Sequence, residues 1–304
     1  MLELVPALRA EGVEVIEAAN ERRRPPSGGG IGSVRNWLAD RRWLARGLPQ
    51  FAADVGAAIV HHPLPAHARQ PPSRQVITVH DLAFETHPEH FDPRFARWAR
   101  RAHRRAAEQA DVVICVSETT ANDVRERWGI PDDRIVVAPH GPGQELPDVP
   151  SRKPEHVLYL GDDEPRKNLD LVRRATFPLP LRMIGGAGEG VDPPTLAHVF
   201  AGALALVHPS LHEGFGLAPL EAMCAGVPVV AVRCAAVEEV CGDAAVYVDA
   251  HDPAELSAAV ARLRQDAAWR AALVARGRER AAQFSWAASA RAHIRAYERA
   301  LARG

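Results

Sequence analysis

The stretch His208–Gly226 reads HPSLHEGFGLAPLEAMCAG, and the fold turns on how it is read. An apolar run, Ala203–Val207, leads into it as a buried strand and stops before Pro209. A loop follows with Glu213, and Gly214 and Gly216 bracket Phe215. Pro219 is predicted at the first position of a helix, where its fixed φ suits a start and its missing N–H would go unpaired anyway. Leu220, Glu221, Ala222, Met223 and Ala225 continue that helix, and Gly226 with Pro228 ends it. Strand, glycine loop and helix N-terminus together aim free backbone N–H groups at one point, a receptor for phosphate or another anion. Glu213 and Glu221 flank that point. Carboxylates beside a phosphate need another partner, and sugar hydroxyls serve, since one carboxylate accepts two of them. The bland alternative is a Gly–Pro turn with two solvated glutamates.

Working outward, a chain of 304 residues predicts two domains. A net charge of −1 gives no global case for nucleic acid or an anionic surface. Cys115, Cys224, Cys234 and Cys241 form no CxxC pair and sit in apolar or mixed contexts, which predicts buried thiols rather than metal ligands or disulfides. No early apolar run has the length of a signal peptide or membrane span, so a cytoplasmic globular protein is expected.

Leu2–Ala10 reads as an amphipathic helix ended by Gly12, with a short strand at Val13, Val15 and Ile16. Arg22–Gly32 is a linker; its GGGIG has no strand directly before it and no Lys–Ser/Thr after it, as a phosphate loop would. Val34–Leu48 places Trp37, Leu38, Leu44, Ala45 and Leu48 on one side, a helix face for packing on a sheet. A basic helix bearing Trp can also rest on an anionic membrane. Strands Ala57–Val60 and Val76–Val79 end at His61-His62-Pro63 and His80-Asp81, and ligands gather at the carboxyl ends of parallel strands. A cleft role is predicted for His80 and a structural one for His61. Phe91–Gln109 is a helix with Arg on several faces, the mark of solvation. Asp111–Val116 is a strand, Ser117 an N-cap, Glu118–Trp128 a helix and Ile135–Ala138 a strand. Gln144–Pro154, with three prolines, is the linker to strand His156–Leu160. There GDDEPRKNLD sets Arg166 and Lys167 between strand and helix, a planar fork and a point charge for an anion. Later elements are strands Leu181–Ile184, Pro228–Val232 and Ala245–Val248 and helices Thr195–Phe200, Pro253–Arg264 and Ala287–Leu301.

The seven residues between Glu213 and Glu221, inside EGFGLAPLEAM followed by GVPVV, resemble the donor-site signature of the family-four retaining glycosyltransferases. TVHDLAF (residues 78–84) and EPRKN (164–168) resemble the matching segments of its mannosyl- and hexosyltransferases. The strings ADVVICVSETT, RIVVAPHG and FSW follow the same family. The resemblance implies an α/β protein of GT-B architecture, two Rossmann-like domains facing a cleft. Residues 1–145 would form the acceptor side, 155–285 the donor domain, and 286–304 a helix crossing back. It implies a hexosyl group, mannose or glucose type, moved with retention from a nucleotide diphosphate sugar to a hydroxyl acceptor. By the same resemblance Glu213 contacts the donor sugar and Glu221 the ribose, while Gly214, Phe215, Gly216 and Leu217 complete the donor site. Arg166 and Lys167 would stabilise the leaving diphosphate, and His80 would lie across the cleft. No cofactor or metal is expected; the nucleotide sugar is a substrate, and the acceptor is a saccharide or lipid-linked. Nucleic acid is not expected as a partner, and peripheral contact at the inner membrane face is the alternative that the Trp37 helix leaves open.

Three departures accompany the resemblance. The family begins one strand and one glycine loop earlier, so the reading frame is expected to start upstream of Met1. A helix and strand that commonly help wall the nucleotide base are missing after Ile184. Asp162 stands where relatives with a TVHDL segment carry a small hydroxyl residue. The rival reading is a catalytically impaired relative that partners or stabilises an active transferase.

Overall fold

A computed structural model describes residues 3–23, 31–69, 73–143, 146–147, 149–150, 152–185 and 191–303. The first lobe runs α1 (Leu4–Ala10), α2 (Ile31–Arg42), a π-helical turn at Trp43–Gly47, α3 (Leu48–Asp54), β1 (Ile59–His62), β2 (Arg74–Val79), α4 (Ala83–Thr86), α5 (Pro93–Gln109), β3 (Val112–Cys115), α6 (Glu118–Trp128) and β4 (Ile135–Val137). The second runs β5 (His156–Leu160), α7 (Leu169–Arg174), β6 (Leu181–Ile184), α8 (Pro193–Ala201), β7 (Ala203–His208), α9 (Leu217–Cys224), β8 (Val229–Val232), α10 (Ala235–Cys241), β9 (Ala245–Val248), α11 (Pro253–Gln265) and α12 (Ala267–Ala281). The last helix, α13 (Trp286–Leu301), belongs to the first lobe in space.

Both sheets are wholly parallel, ordered β1-β2-β3-β4 and β6-β5-β7-β8-β9. Parallel strands covered on both faces should read as unbroken apolar runs. VVIC of β3 and VVAV of β8 do, and every residue in both is buried. In the second sheet the chain leaves β5 toward β6, then crosses to β7. That reversal opens a crevice at the carboxyl ends of β5 and β7, where such sheets bind ligands. These two sheets are the two-lobed α/β architecture that the resemblance implies.

Several elements differ from the sequence reading. Val13, Val15 and Ile16 form no strand: Val13 and Val15 pack with Leu4 and Leu8 against α13, an apolar contact that needs no ladder. Of the Arg22–Gly32 linker, residues 24–30 lie outside the described residues, and residues 31–32 already belong to α2. Trp37 and Leu38 are 47% and 49% exposed, because the π turn rotates the helix so that Trp43, Leu44 and Leu48 take the inward positions. Pro219 is the third residue of α9, not the first; N–H groups throughout a first turn lack helical partners, so the position tolerates it equally. Cys224 is exposed at the end of α9, while Cys115, Cys234 and Cys241 are buried. The GGAGEG segment is described only at Gly185. β6 is the outer strand beside it, with Arg182 and Met183 exposed, and no further strand pairs with it among the described residues.

The Phe284-Ser285-Trp286 segment carries the chain back. Ser285 caps α13 by accepting from the Ala288 N–H at 3.1 Å. Ala292, Ala296 and Ala300 then lie on Val76, Val112, Ile114 and Val136 of the first sheet. Alanine at each contact lets the helix backbone come close to the strands. Ala296→Leu should therefore overpack this seam and cost about 1–3 kcal/mol, read as a lowered urea midpoint; an unchanged midpoint would show that α13 is not seated there.

Candidate active site

The crevice of the second lobe is built by two loops tied together through backbone. After β5, Pro165–Lys167 forms a single 3₁₀ turn, ended by Asn168 at φ 49° with its amide bonded to the Ala250 carbonyl at 3.0 Å. The Leu211 N–H donates to the Arg166 carbonyl at 2.9 Å, which fixes this turn against the loop after β7. Lys167 Nζ consequently lies 2.6 Å from Glu213 Oε1, and Arg166 Nη1 lies 3.7 Å from Oε2. Arg166 Nε is also held by Glu164 at 2.8 Å. The Glu213 side chain is only 12% exposed. Burial opposes its ionisation, but His208 at 3.3 Å and the Lys167 ammonium outweigh it and hold the carboxyl well below the usual range. The His208 contact lacks hydrogen-bond geometry, so the larger share belongs to Lys167.

The glycine loop joins the lobes. A Cβ on Gly214 would collide with the His80 carbonyl oxygen, so only glycine fits there. The Gly214 carbonyl accepts from Ser117 Oγ at 2.7 Å and Thr120 Oγ1 at 3.3 Å, and Thr120 Oγ1 also reaches the His80 carbonyl at 3.2 Å. Phe215 is buried, with its ring edge-on to His140 (5.3 Å) and Phe284 (5.8 Å). Gly216, at φ 108°, turns the chain into α9, whose first residue, Leu217, is partly exposed. A second tie lies alongside: the Glu239 carboxylate of α10 accepts from the Glu118 and Thr119 N–H groups at 2.7 and 2.9 Å, at the positive end of α6.

His80 faces the glycine loop from the carboxyl end of β2. Its Nε2 donates to the Pro63 carbonyl at 2.9 Å, which leaves Nδ1 an acceptor in the neutral ring. The ring stacks on His140 at 5.5 Å, and burial lowers its pKa. His61 is engaged twice, by the Tyr297 hydroxyl at 2.9 Å and Thr78 Oγ1 at 2.8 Å. Glu221 sits one turn into α9, against Gly143 of the interdomain connection, and borders a cavity of about 860 Å³ with Pro142, Arg152, Arg270 and Arg278. Arg166 and Lys167 do not line that cavity. Asp162 is exposed, and its backbone carbonyl accepts from the Tyr159 hydroxyl at 2.9 Å. Arg166, Lys167, Glu213 and Gly214 thus meet beneath His80, and Glu221 follows one turn into α9. Sequence reading missed His140, Thr120, His208 and Glu239. His140 carried a usable signal, a histidine following a strand as His80 does; Glu239 carried none.

His87, Glu89 and His90 bring ligand atoms within 4.8 Å of one another, the one such group of potential metal ligands among the described residues. They follow α4, and the His87 ring lies 5.2 Å from that of His212.

Two outcomes follow from this geometry. Gly214→Ala should force the lobes apart, enlarging the radius of gyration in small-angle scattering and lowering stability by about 1–3 kcal/mol. His61 and His140 have pKa values lowered to about 3, chiefly by burial, against 6.5 when exposed. Between those values the unfolded chain binds more protons than the folded one. Stability should hold above pH 6.5 and fall continuously as pH drops toward 3, as urea titrations at stepped pH would show; a flat profile would contradict the buried neutral rings.

The sequence profile described as Glycosyltransferase Family 4 matches residues 1–142, and that described as Glycosyl transferases group 1 matches residues 144–266. O-antigen chain mannosyltransferase B of Escherichia coli is 31% identical over 267 residues, spanning 74% of this chain and 70% of that relative. The MMP alpha-(1->4)-mannosyltransferase of Mycolicibacterium hassiacum is 27% identical over 311 aligned residues, spanning 87% and 70%. Sucrose-phosphate synthase from Thermosynechococcus elongatus superposes with a TM-score of 0.75 over 99% of this chain and 92% of its own at 20% identity, a likeness of fold. No helix among the described residues is long and apolar enough to cross a membrane. The chain belongs to glycosyltransferase family 4 and has that family's two-lobed GT-B fold.

Proposed function

We propose that this protein transfers a hexosyl group, mannose or glucose type, from a nucleotide diphosphate sugar to a hydroxyl of a saccharide or lipid-linked acceptor, with retention at the anomeric carbon. Such a step would serve glycoconjugate assembly. The observation that carries the reading is the meeting of Lys167, Arg166 and Glu213 at the glycine loop, at the sheet's topological switch point. Two cations and the Gly214–Gly216 amides suit a diphosphate that gains charge as the glycosidic bond breaks, and preorganised charge of this kind is a large catalytic contribution. Glu213, ionised and held by Lys167, is an acceptor for hydroxyls of the donor sugar. Glu221 would hold the ribose. The two mannosyltransferases named above support the sugar class.

His80 gives the opposite wall a hydrogen-bond acceptor, Nδ1, for a hydroxyl. No general base is assigned. In attack on the face the leaving group departs from, the anomeric C–O bond to the diphosphate breaks and the bond to the acceptor oxygen forms. The acceptor proton then passes to the departing diphosphate oxygen. Closure of the lobes would keep water from competing. The reading assigns no step to a metal.

Transfer from labelled UDP- and GDP-hexoses to lipid and saccharide acceptors tests the reading, with the first-formed anomer read by NMR. Lys167→Ala should lower kcat about 10²–10³-fold. Glu221→Ala should weaken nucleotide binding in calorimetry about 10–100-fold, the worth of a charged hydrogen bond. Chelation should leave the rate unchanged. No transfer from any donor, or an inverted product, would overturn the proposal.

A further inference from the structure

Helix α5 is built inside out. Its buried positions are Ala96, Ala99, Ala106 and Ala107, whereas its largest apolar side chains, Phe95 and Trp98, are 45% and 53% exposed. Isolated exposed apolar residues are ordinary on protein surfaces. Here the rings are contiguous: Phe91 and Phe95 lie 6.0 Å apart, and Phe95 and Trp98 also 6.0 Å. A helix that turns alanine inward and aromatics outward leaves its main apolar area for something outside the chain.

The charges on the same face narrow what that is. Arg94, Arg97, Arg101 and Arg105 share one shallow depression with Trp98, at the three- and four-residue spacing of a single helix face. None of the four pairs with a carboxylate among the described residues, whereas Arg104, seven residues after Arg97 at the edge of the same face, is held by Glu108 at 2.9 Å. Guanidinium groups with no carboxylate partner among the described residues, framing aromatic rings on a surface helix, match a bilayer interface. There the rings enter at headgroup depth and the guanidinium groups meet lipid phosphates. A nucleic-acid duplex would answer the arginines but leave Phe95 and Trp98 in water, since its bases are stacked within the helix.

We propose that the outward face of α5, Phe95 and Trp98 framed by Arg94, Arg97, Arg101 and Arg105, seats this protein on a bilayer surface that contains anionic lipid. The seat is independent of the transfer reading. It would bring the lobe that carries His80 to a lipid-borne acceptor, and it moves the membrane-contact role from the Trp37 helix to α5.

Co-sedimentation of the full chain with vesicles, in the absence of any donor, tests this. The protein should pellet with vesicles of mixed phosphatidylcholine and phosphatidylglycerol and not with phosphatidylcholine alone, and added salt should release it. Each arginine near such a surface is worth about fivefold in partitioning, so the double variant Arg97→Glu/Arg101→Glu should bind about 25-fold more weakly or worse. Trp98→Ala should also bind more weakly, while Arg276→Glu, on the exposed side of α12 in the second lobe, should bind nearly as the parent does. All these positions are exposed, so the variants should melt as the parent does, which separates lost binding from lost folding. No pelleting with anionic vesicles, or equal pelleting of parent and double variant, would overturn the proposal. So would equally tight binding to a DNA duplex that is indifferent to Trp98→Ala, which would make the face a general polyanion surface.

Discussion

The spacing of the two lobes rests on one contact, the Gly214 backbone against the carbonyl oxygen of His80. No side chain can come between them, so the loop that carries Glu213 and the strand end that carries His80 are held at backbone-contact distance. Ser117 and Thr120 hold the Gly214 carbonyl, and Glu239 grips the start of the same helix, α6, from the other lobe. Phe215 then has one place to go, among His140, Phe284 and their neighbours. The histidines on one wall and the charged cluster on the other owe their juxtaposition to this seam.

Within the cluster, attraction and desolvation nearly oppose each other. Taking Glu213 out of water is costly, and Lys167 at 2.6 Å with Arg166 beyond it recovers that cost only because the geometry is close. Such a cluster adds little net stability, because its attraction mostly offsets its desolvation. It holds the two cations in a fixed arrangement beside the glycine loop.

Much of this was legible in the residues. Apolar runs such as VVIC and VVAV announce parallel strands, and Ser117 and Ser285 mark helix starts by their side-chain chemistry. The Glu213 loop and the Arg166–Lys167 turn could be read because backbone demands and charge are both local. What escaped was set by distant parts of the chain. Glu239 caps a helix that lies 120 residues away in sequence, and no local pattern records that. The segment around Val13 has the composition of a strand but finds its partner in the apolar face of α13. Trp37 and Leu38 were misplaced because a π turn shifts the register by one residue, a feature that periodicity does not encode. Trp98 was passed over because arginines around a helix read as solvation until the buried side proves to be alanine.

The outer strand of the second sheet, β6, has a consequence of its own. A strand paired on one side offers amide donors and carbonyl acceptors in register for any extended chain that comes near, its own copies included. Arg182 and Met183 sit exposed on it, and the positive charge of Arg182 discourages a second copy from docking in register. Among the described residues the sheet ends at this edge, and a strand added there would leave the switch point between β5 and β7 undisturbed.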